Sequence, residues 1–125
     1  MPDISFVLLY VDNPAASAAF YTDLLGRPPV EQSPTFAMFA MNSGLMLGLW
    51  ARDKVEPAAA VVVAKGDGEV AFTVDNADAV QATHADWRKR GLTIAQLPTE
   101  MDFGHTFVAL DPDGHRLRVF APAGP

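Results

Sequence analysis

Histidine can take part in more kinds of catalysis and binding than the other side chains in this sequence. It occurs three times, as His84, His105 and His115. A neutral imidazole can bind a metal ion, or act as an acid or base near neutral pH. No His-x-x-x-His or His-x-Glu spacing joins these residues, although such spacings bring two metal ligands together on one element. We therefore expect the histidines to have structural roles, at the surface or half-buried.

Other common catalytic patterns are also absent from the sequence. It contains no cysteine, which excludes disulfides, thiolate metal sites and thiol nucleophiles. It has no Gly-x-Ser-x-Gly elbow for a serine nucleophile. Neither Gly-x-Gly-x-x-Gly nor a P-loop is present, so nucleotide binding has little support. What the sequence does supply is a set of aromatic and apolar residues on predicted strands.

Trp50 lies two residues after Gly48, so the alternation of side chains along a strand puts both residues on one face. Gly48 has no side chain, which leaves a space beside Trp50 that a flat ligand could occupy. The alternative is that this face only fills the interior of the sheet. The same alternation in the other strands predicts an apolar, aromatic trough that contains one acid and one or two arginines, lined by Phe6, Leu8, Tyr10, Met46, Gly48, Trp50, Glu69, Ala71, Arg116, Arg118 and Phe120.

The strands that would carry these residues belong to a pattern that occurs twice. An apolar run leads into Val-Asp-Asn in "FVLLYVDNPAAS" at 6–17 and again in "EVAFTVDNADAV" at 69–80. In each copy the run suits a strand and the Asn suits the N-cap of a helix. Helices are predicted at 14–25 and 77–90, ended by Gly26 and Gly91. Their core-facing residues are predicted to be Ala16, Ala19, Phe20 and Leu24 in the first helix, and Val80, Thr83, His84 and Trp87 in the second.

Three strand-like runs follow each helix. They are predicted at 28–33, 35–41 and 45–51, and again at 93–97, 105–110 and 115–121, where "DPDG" at 111–114 forms a turn. The predicted fold is therefore α+β, with two βαβββ modules in a single domain, 1–125. Module one covers about 1–52, a linker with Pro, Ala and Gly covers about 53–67, and module two covers about 68–125.

The charge balance limits the possible partners. The chain has fifteen Asp and Glu against nine Lys and Arg, for a net charge of −6. A surface of that sign repels phosphate backbones and anionic lipids, so neither nucleic acid nor a membrane is expected as a partner. The stretch "MPDISFVLLYVDNP" has no basic region and an apolar run of only strand length. These features predict a soluble, cytoplasmic protein.

The repeated pattern, with "VDNPAASAAFYTDLLG" after the first strand and "DFGHTFVALDPDGHRLRVF" at the end, resembles the vicinal oxygen chelate superfamily. That superfamily includes glyoxalase I, extradiol dioxygenases, and the bleomycin and mitomycin resistance proteins. The resemblance covers nearly the whole chain. It implies curved mixed sheets paired around a cleft, commonly across a homodimer that exchanges modules. It also implies that "MDFGHTF", which contains His105, forms a loop at the mouth of the cleft.

Catalytic members of this superfamily hold a divalent metal with His and Glu side chains from the first and last strands of each module. Such ligands suit Zn, Fe, Ni or Mn. Carried over by motif spacing, the four ligand positions fall on Phe6, Gly48, Glu69 and Arg118. Only Glu69 could bind a cation, and Arg118 would compete with that cation for it. The resemblance therefore implies a member that has neither a metal nor another cofactor.

Arg118 needs an acidic partner if the last strand directs it into the trough, because a buried guanidinium is costly unless it is paired. Glu69, at the matching position of the first strand of its module, is the predicted partner. The pair could be an internal ion pair that replaces the metal. It could equally be the polar end of a ligand site whose flat wall is Trp50, and the sequence leaves both interpretations open.

Two hypotheses for the function follow. The first is a non-catalytic protein that sequesters a small, flat, largely apolar molecule, as the antibiotic resistance members of the superfamily do. The second is an enzyme of the same fold, a lyase or oxidoreductase with a non-standard or metal-independent site. In that case Glu69 would act as a general base, with its pKa raised by the apolar trough. Under the first hypothesis no residue is catalytic, and the ligand-binding residues are Phe6, Leu8, Tyr10, Gly48, Trp50, Glu69, His105, Arg118 and Phe120.

Overall fold

The computed structural model describes residues 4–55 and 69–123. These two stretches belong to two compact units, module one and module two, each of which is described by itself. Most of the predicted linker, 53–67, lies outside the described residues.

In module one a helix follows the first strand, and three strands follow the helix. The elements are β1 (Phe6–Val11), α1 (Pro14–Leu25), β2 (Glu31–Gln32), β3 (Phe36–Ala40) and β4 (Met46–Ala51), followed by a 3₁₀ turn at Arg52–Lys54. The sheet order is β1-β4-β3-β2, with β1 parallel to β4 and the other pairs antiparallel. β2 is shorter than the predicted 28–33, because Pro28 and Pro29 have no N–H to donate to a neighbouring strand.

Module two repeats this arrangement. Its elements are β5 (Glu69–Thr73), α2 (Ala77–Lys89), β6 (Thr93–Met101), β7 (Gly104–Leu110) and β8 (Arg116–Pro122), in the sheet order β5-β8-β7-β6 with β5 parallel to β8. β6 is longer than the predicted 93–97 and continues past Pro98, with two register shifts against β7. Such irregularity lets an edge strand accept a proline. The predicted α+β fold of two βαβββ modules with mixed sheets is confirmed.

Both helices begin as the repeated Val-Asp-Asn predicts. The Oδ1 atom of Asn13 accepts a hydrogen bond from the N–H of Ala16 at 3.1 Å, and that of Asn76 accepts one from Ala79 at 2.8 Å. These bonds satisfy backbone donors that have no partner inside the first turn. Gly26 ends α1 in the left-handed conformation, with φ of 68°, which glycine adopts without steric cost.

The predicted inward face of α1 is wrong. The buried residues are Pro14, Ser17, Ala18 and Tyr21 rather than Ala16, Ala19, Phe20 and Leu24. The helix has apolar residues on every side, so its periodicity does not single out one face. Tyr21 is fully buried and meets the ring of Phe39 on β3 with centroids 6.4 Å apart.

The predicted inward face of α2 is confirmed. Val80 and Trp87 are buried, and the Trp87 ring stands edge-on to Phe72 of β5 and to Phe107 of β7, each at 5.5 Å between centroids. His84 lies beside Phe107 at 5.3 Å. The helix therefore covers the face of the sheet to which Phe107 points.

The turn before β8 is fixed by Asp111, whose side chain is fully buried. Its Oδ1 atom accepts hydrogen bonds from the N–H groups of Asp113 at 2.9 Å and His115 at 2.8 Å. Its Oδ2 atom lies 2.8 Å from Nδ1 of His115, and Gly114 completes the turn at φ of 85°. The turn sets where β8 starts, and so which residues of β8 face the helix.

Candidate functional site

In each module the helix covers one face of the sheet, and the other is called the far face. In module one α1 packs on the side of Phe39 and the fully buried Leu49. Side chains alternate along strands, so their neighbours in sequence point the other way. The far face of module one is formed by Phe6, Leu8, Tyr10, Phe36, Met38 and Trp50.

One cross-strand row of this far face is aromatic at every position. Trp50 of β4 lies in register with Tyr10 of β1 on one side and with Phe36 of β3 on the other. The Phe36 ring stands edge-on to Trp50, with centroids 6.4 Å apart. All three side chains are partly exposed. Such a row stabilises the pairing of the strands and also presents a broad aromatic surface.

The predicted empty space over Gly48 is wrong. A Cβ atom added at Gly48 would lie 2.6 Å from Cδ2 of Leu8, 3.0 Å from Cε1 of Phe6 and 3.1 Å from Cζ of Phe36. These side chains already fill the space, because Leu8 pairs with Gly48 in register and leans over the position that has no side chain. Phe6 and Leu8 nevertheless remain 42% and 43% exposed, so they add apolar surface beside the aromatic row.

The far face of module two has an arginine in the middle of β8. Arg118 donates from Nε to Oε1 of Glu69 at 2.7 Å and from Nη2 to Oε2 at 3.2 Å. Its Nη1 atom donates to Oγ1 of Thr106 at 3.0 Å and to Oε1 of Gln96 at 3.3 Å. The side chains of Arg118 and Glu69 are only 16% and 30% exposed. The predicted pairing of Arg118 with Glu69 is confirmed.

This pairing also decides the charge of Glu69. The bidentate hydrogen bonds from Arg118 lower the pKa of the Glu69 carboxyl, with burial opposing and the positive charges of Arg118 and Arg116 adding to the effect. The expectation that the pKa of Glu69 is raised, as a general base requires, is therefore wrong. The expected rise in pKa assumed that apolar side chains surround Glu69. The carboxylate of Glu69 instead faces two guanidinium groups.

The four positions that correspond to the metal ligands of the superfamily do not fit a divalent metal. Phe6 and Gly48 offer no side-chain ligand atom, and both carboxylate oxygens of Glu69 accept hydrogen bonds from Arg118. Across residues 4–55 and 69–123, no three His, Asp or Glu side chains are grouped as metal ligands would be.

The remaining two candidate residues lie on opposite faces of module two. Phe120 follows Arg118 on the far face and meets Phe103 with centroids 6.1 Å apart. His105 lies on the helix side, where Nε2 is 3.0 Å from Nε2 of Gln81 on α2 and Nδ1 is 3.3 Å from Glu100. The sheet thus separates His105 from Arg118, and His105 does not belong to the same surface.

Several residues of these far faces were not identified from the sequence. Phe36 could have been found from the hairpin of β3 and β4, because the register of these strands puts Phe36 opposite Trp50. Thr106 could have been found in the same way from the register of β7 with β8. Gln96 had no signal, since it follows a register shift. Phe103 belongs to "MDFGHTF", for which the resemblance implied a loop at the mouth of the cleft, and it lies in the short turn between β6 and β7.

Comparison with known proteins identifies the family. Residues 3–119 match the model of the Glyoxalase/Bleomycin resistance protein/Dioxygenase superfamily. The chain belongs to this superfamily.

Two similar proteins match this chain over most of their length. A protein from Agrobacterium tumefaciens, solved in solution by NMR, is 52% identical, and the match covers 99% of this chain and 100% of that one with a TM-score of 0.88. Phenazine antibiotic resistance protein EhpR of Enterobacter agglomerans is 27% identical over 115 residues, which are 90% of this chain and 86% of the relative.

More distant structures share the superfamily fold alone. A glyoxalase-related enzyme from Fulvimarina pelagi has a TM-score of 0.82 at 23% identity, with 99% and 94% of the two chains covered. Lactoylglutathione lyase from Agrobacterium tumefaciens has a TM-score of 0.78 at 21% identity, with 95% and 92% covered. Within the superfamily the fold thus serves both enzymes and resistance proteins, so the residues of the site, and not the fold, determine the function.

In the part of the chain that the structure describes, no helix is both long and apolar enough to cross a bilayer.

Proposed function

We propose that this protein binds a small, flat, largely apolar molecule and sequesters it without changing it. The observation that carries the proposal is the aromatic row of Tyr10, Trp50 and Phe36 on the far face of module one. Phe6 and Leu8 extend this surface, and both are more than two-fifths exposed. Contiguous exposed apolar surface is typical of interaction sites. Planar rings gain about 1 kcal/mol per aromatic pair beyond the area that they bury.

The similarity to a phenazine antibiotic resistance protein supports a planar aromatic ligand. Phenazine consists of three fused aromatic rings, and a row of aromatic side chains across three strands suits a ligand of that shape. Sequestration in the cytoplasm would lower the free concentration of such a compound and needs no catalytic group. Phenazine is therefore the probe of choice.

The enzymatic alternative has one named candidate for a general base, Glu69, and the surroundings of Glu69 oppose that role. A general base must be able to take up a proton near neutral pH, and Arg118 favours the ionised, proton-free form of Glu69 with a lowered pKa. Arg118 also occupies both carboxylate oxygens of Glu69 with hydrogen bonds.

A homodimer forms the second part of the proposal. Superfamily members are often dimers, and a second copy can cover exposed apolar side chains that lie outside the proposed ligand surface, such as Val30 and Leu97. Sedimentation at micromolar concentration should give twice the mass of the chain. A monomer at that concentration would contradict this part and leave the binding proposal to stand alone.

Tryptophan fluorescence provides the test of binding, because Trp50 and Trp87 are the two tryptophans of the chain. Trp87 is buried between Phe72 and Phe107, and Trp87→Phe keeps an aromatic ring there. In that variant the emission comes from Trp50 alone. Phenazine should quench it in a saturable manner, whereas absence of saturable quenching up to the solubility limit would contradict the proposed site. Recovery of unchanged phenazine, checked by mass spectrometry, tests for sequestration without turnover.

A further inference from the structure

The far face of module two carries more positive than negative charge. Arg116 and Arg118 are two residues apart on β8, so strand alternation puts both on one face. Glu69 accepts two hydrogen bonds from Arg118, but Nη1 of Arg116 is 3.9 Å from Oε2 of Glu69, which is beyond hydrogen-bond reach. The side chain of Arg116 is also 61% exposed. Two guanidinium groups thus share one carboxylate, on a chain whose net charge is −6.

Arg118 is held rigidly but retains donor capacity. A guanidinium has five N–H groups in a fixed planar arrangement. Glu69 accepts from Nε and from one N–H of Nη2, while Thr106 and Gln96 accept from Nη1. The second N–H of Nη2 has no acceptor within residues 4–55 and 69–123. A donor held in place by four other hydrogen bonds loses little conformational entropy when a ligand binds.

An exposed aromatic surface adjoins these cations. The Phe103 ring lies 5.5 Å from the guanidinium carbon of Arg118 and edge-on to Phe120 at 6.1 Å. Phe103 is 45% exposed, although it is a large apolar side chain in a turn. Along β8, Arg116 and Phe120 are separated by roughly 13 Å at the usual rise per residue. Positive charge at one end of this surface therefore gives way to aromatic rings at the other.

We propose that the far face of module two binds an aromatic carboxylate, with its carboxylate group between Arg116 and the remaining Nη2 donor of Arg118, and its rings against Phe103 and Phe120. A planar carboxylate matches the planar donors of guanidinium groups. Glu69 is the positioning residue of this site, because it holds Arg118 in place. This site uses residues of module two only, and it does not depend on the proposed binding of a neutral flat molecule at Trp50.

The test compares two probes of nearly equal size and shape, 2-naphthoate and the neutral 2-naphthamide, by isothermal titration calorimetry at neutral pH and low salt. Charge-assisted hydrogen bonds to an arginine predict that the wild-type protein binds the acid at least about tenfold more tightly than the amide. Arg116→Gln should reduce this preference to about twofold, because the exposed cation is lost while the pair of Arg118 and Glu69 stays intact. Arg88→Gln is the matched control, since it removes the same charge from the exposed side of α2.

The outcomes separate this site from the one at Trp50. A preference for 2-naphthoate that falls in Arg116→Gln, persists in Arg88→Gln and weakens with added salt supports the site. Equal affinity for acid and amide would overturn it, as would a preference that survives Arg116→Gln, or no binding of 2-naphthoate up to millimolar concentration. Phe103→Leu should weaken binding of the acid severalfold. Quenching of Trp50 by phenazine is unaffected by any of these results, so each proposal can fail without the other.

Discussion

Replacement of Arg118 with alanine should destabilise module two by about 1–2 kcal/mol. Breaking a fully buried ion pair costs roughly 3–5 kcal/mol, because the remaining charge is left without water. An exposed pair contributes only about 0–1 kcal/mol. The pair of Arg118 and Glu69 lies between these limits, since the two side chains are 16% and 30% exposed and water can reach the carboxylate once Arg118 is removed. Thr106 keeps its hydrogen bond to the carbonyl of Val119 at 2.9 Å, so its hydroxyl adds little to the cost.

Urea unfolding followed by the emission of Trp87 measures this change in module two, in a Trp50→Phe background that removes the other tryptophan. The midpoint should fall while the slope of free energy against urea stays constant. A double-mutant cycle of Arg118→Ala with Glu69→Gln should give a coupling energy of about 1 kcal/mol. A coupling energy near zero would show that the hydrogen bonds between the two side chains do not stabilise the fold, and would refute the reasoning.

The pH dependence of the coupling follows from the lowered pKa of Glu69. A carboxyl whose pKa is lowered in the folded state binds fewer protons there than in the unfolded chain. It therefore stabilises the fold at pH values above 4.5, its ordinary pKa. This contribution is lost as the pH falls through the lowered pKa. The coupling energy should therefore be the same at pH 7 and pH 6 and disappear only well below pH 4.5. Loss of the coupling above pH 5 would contradict the direction of the shift.

Three further predictions concern packing, an unpaired polar atom and metals. Gly48→Ala should lower the free energy of unfolding by about 1–2 kcal/mol in a urea titration, because the new Cβ meets Cδ2 of Leu8 at 2.6 Å and this side chain has to move; no change would show that the space over Gly48 is open. His84→Leu should raise the free energy of unfolding by about 1 kcal/mol, because Nε2 of His84 is buried with no hydrogen-bond partner among the described residues; a loss of stability would show that this nitrogen is satisfied. Saturating Zn²⁺, Ni²⁺ or Mn²⁺ should shift the melting temperature little, since a metal bound only by the folded state would raise it by mass action; a shift of several degrees that EDTA reverses would contradict the poor fit of Phe6, Gly48, Glu69 and Arg118 to a metal.

The sequence predicted the fold well because its signals are local and occur twice. Asn13 and Asn76 cap helices through bonds to residues only three positions away, and the glycines that end turns need a backbone conformation that other residues avoid. The inward face of α1 was not predictable in this way. Tyr21 is buried against Phe39 because of the tertiary fold, while alanines and Phe20 on the other sides of the helix are no less apolar.

The candidate site was predicted only in part, because it depends on pairing between strands. Alternation correctly put Glu69 and Arg118 on one face, where they form the predicted pair. It could not show that Leu8 leans over Gly48, since that depends on the register of β1 with β4. Alternation also did not predict on which face of the sheet His105 lies. The end of β6 and the turn before β7 determine whether its ring faces α2 or Arg118.

The affinity of phenazine for the wild-type protein and for Trp50→Ala, measured by calorimetry under one set of conditions, tests the central claim most directly. Trp50 is partly exposed on the far face of module one, so its removal should leave the protein folded by circular dichroism. Loss of the ring should weaken binding by about 1 kcal/mol or more, which is roughly fivefold or more in the dissociation constant. Equal affinity in the two proteins, with both fully folded, would contradict a binding site at Trp50.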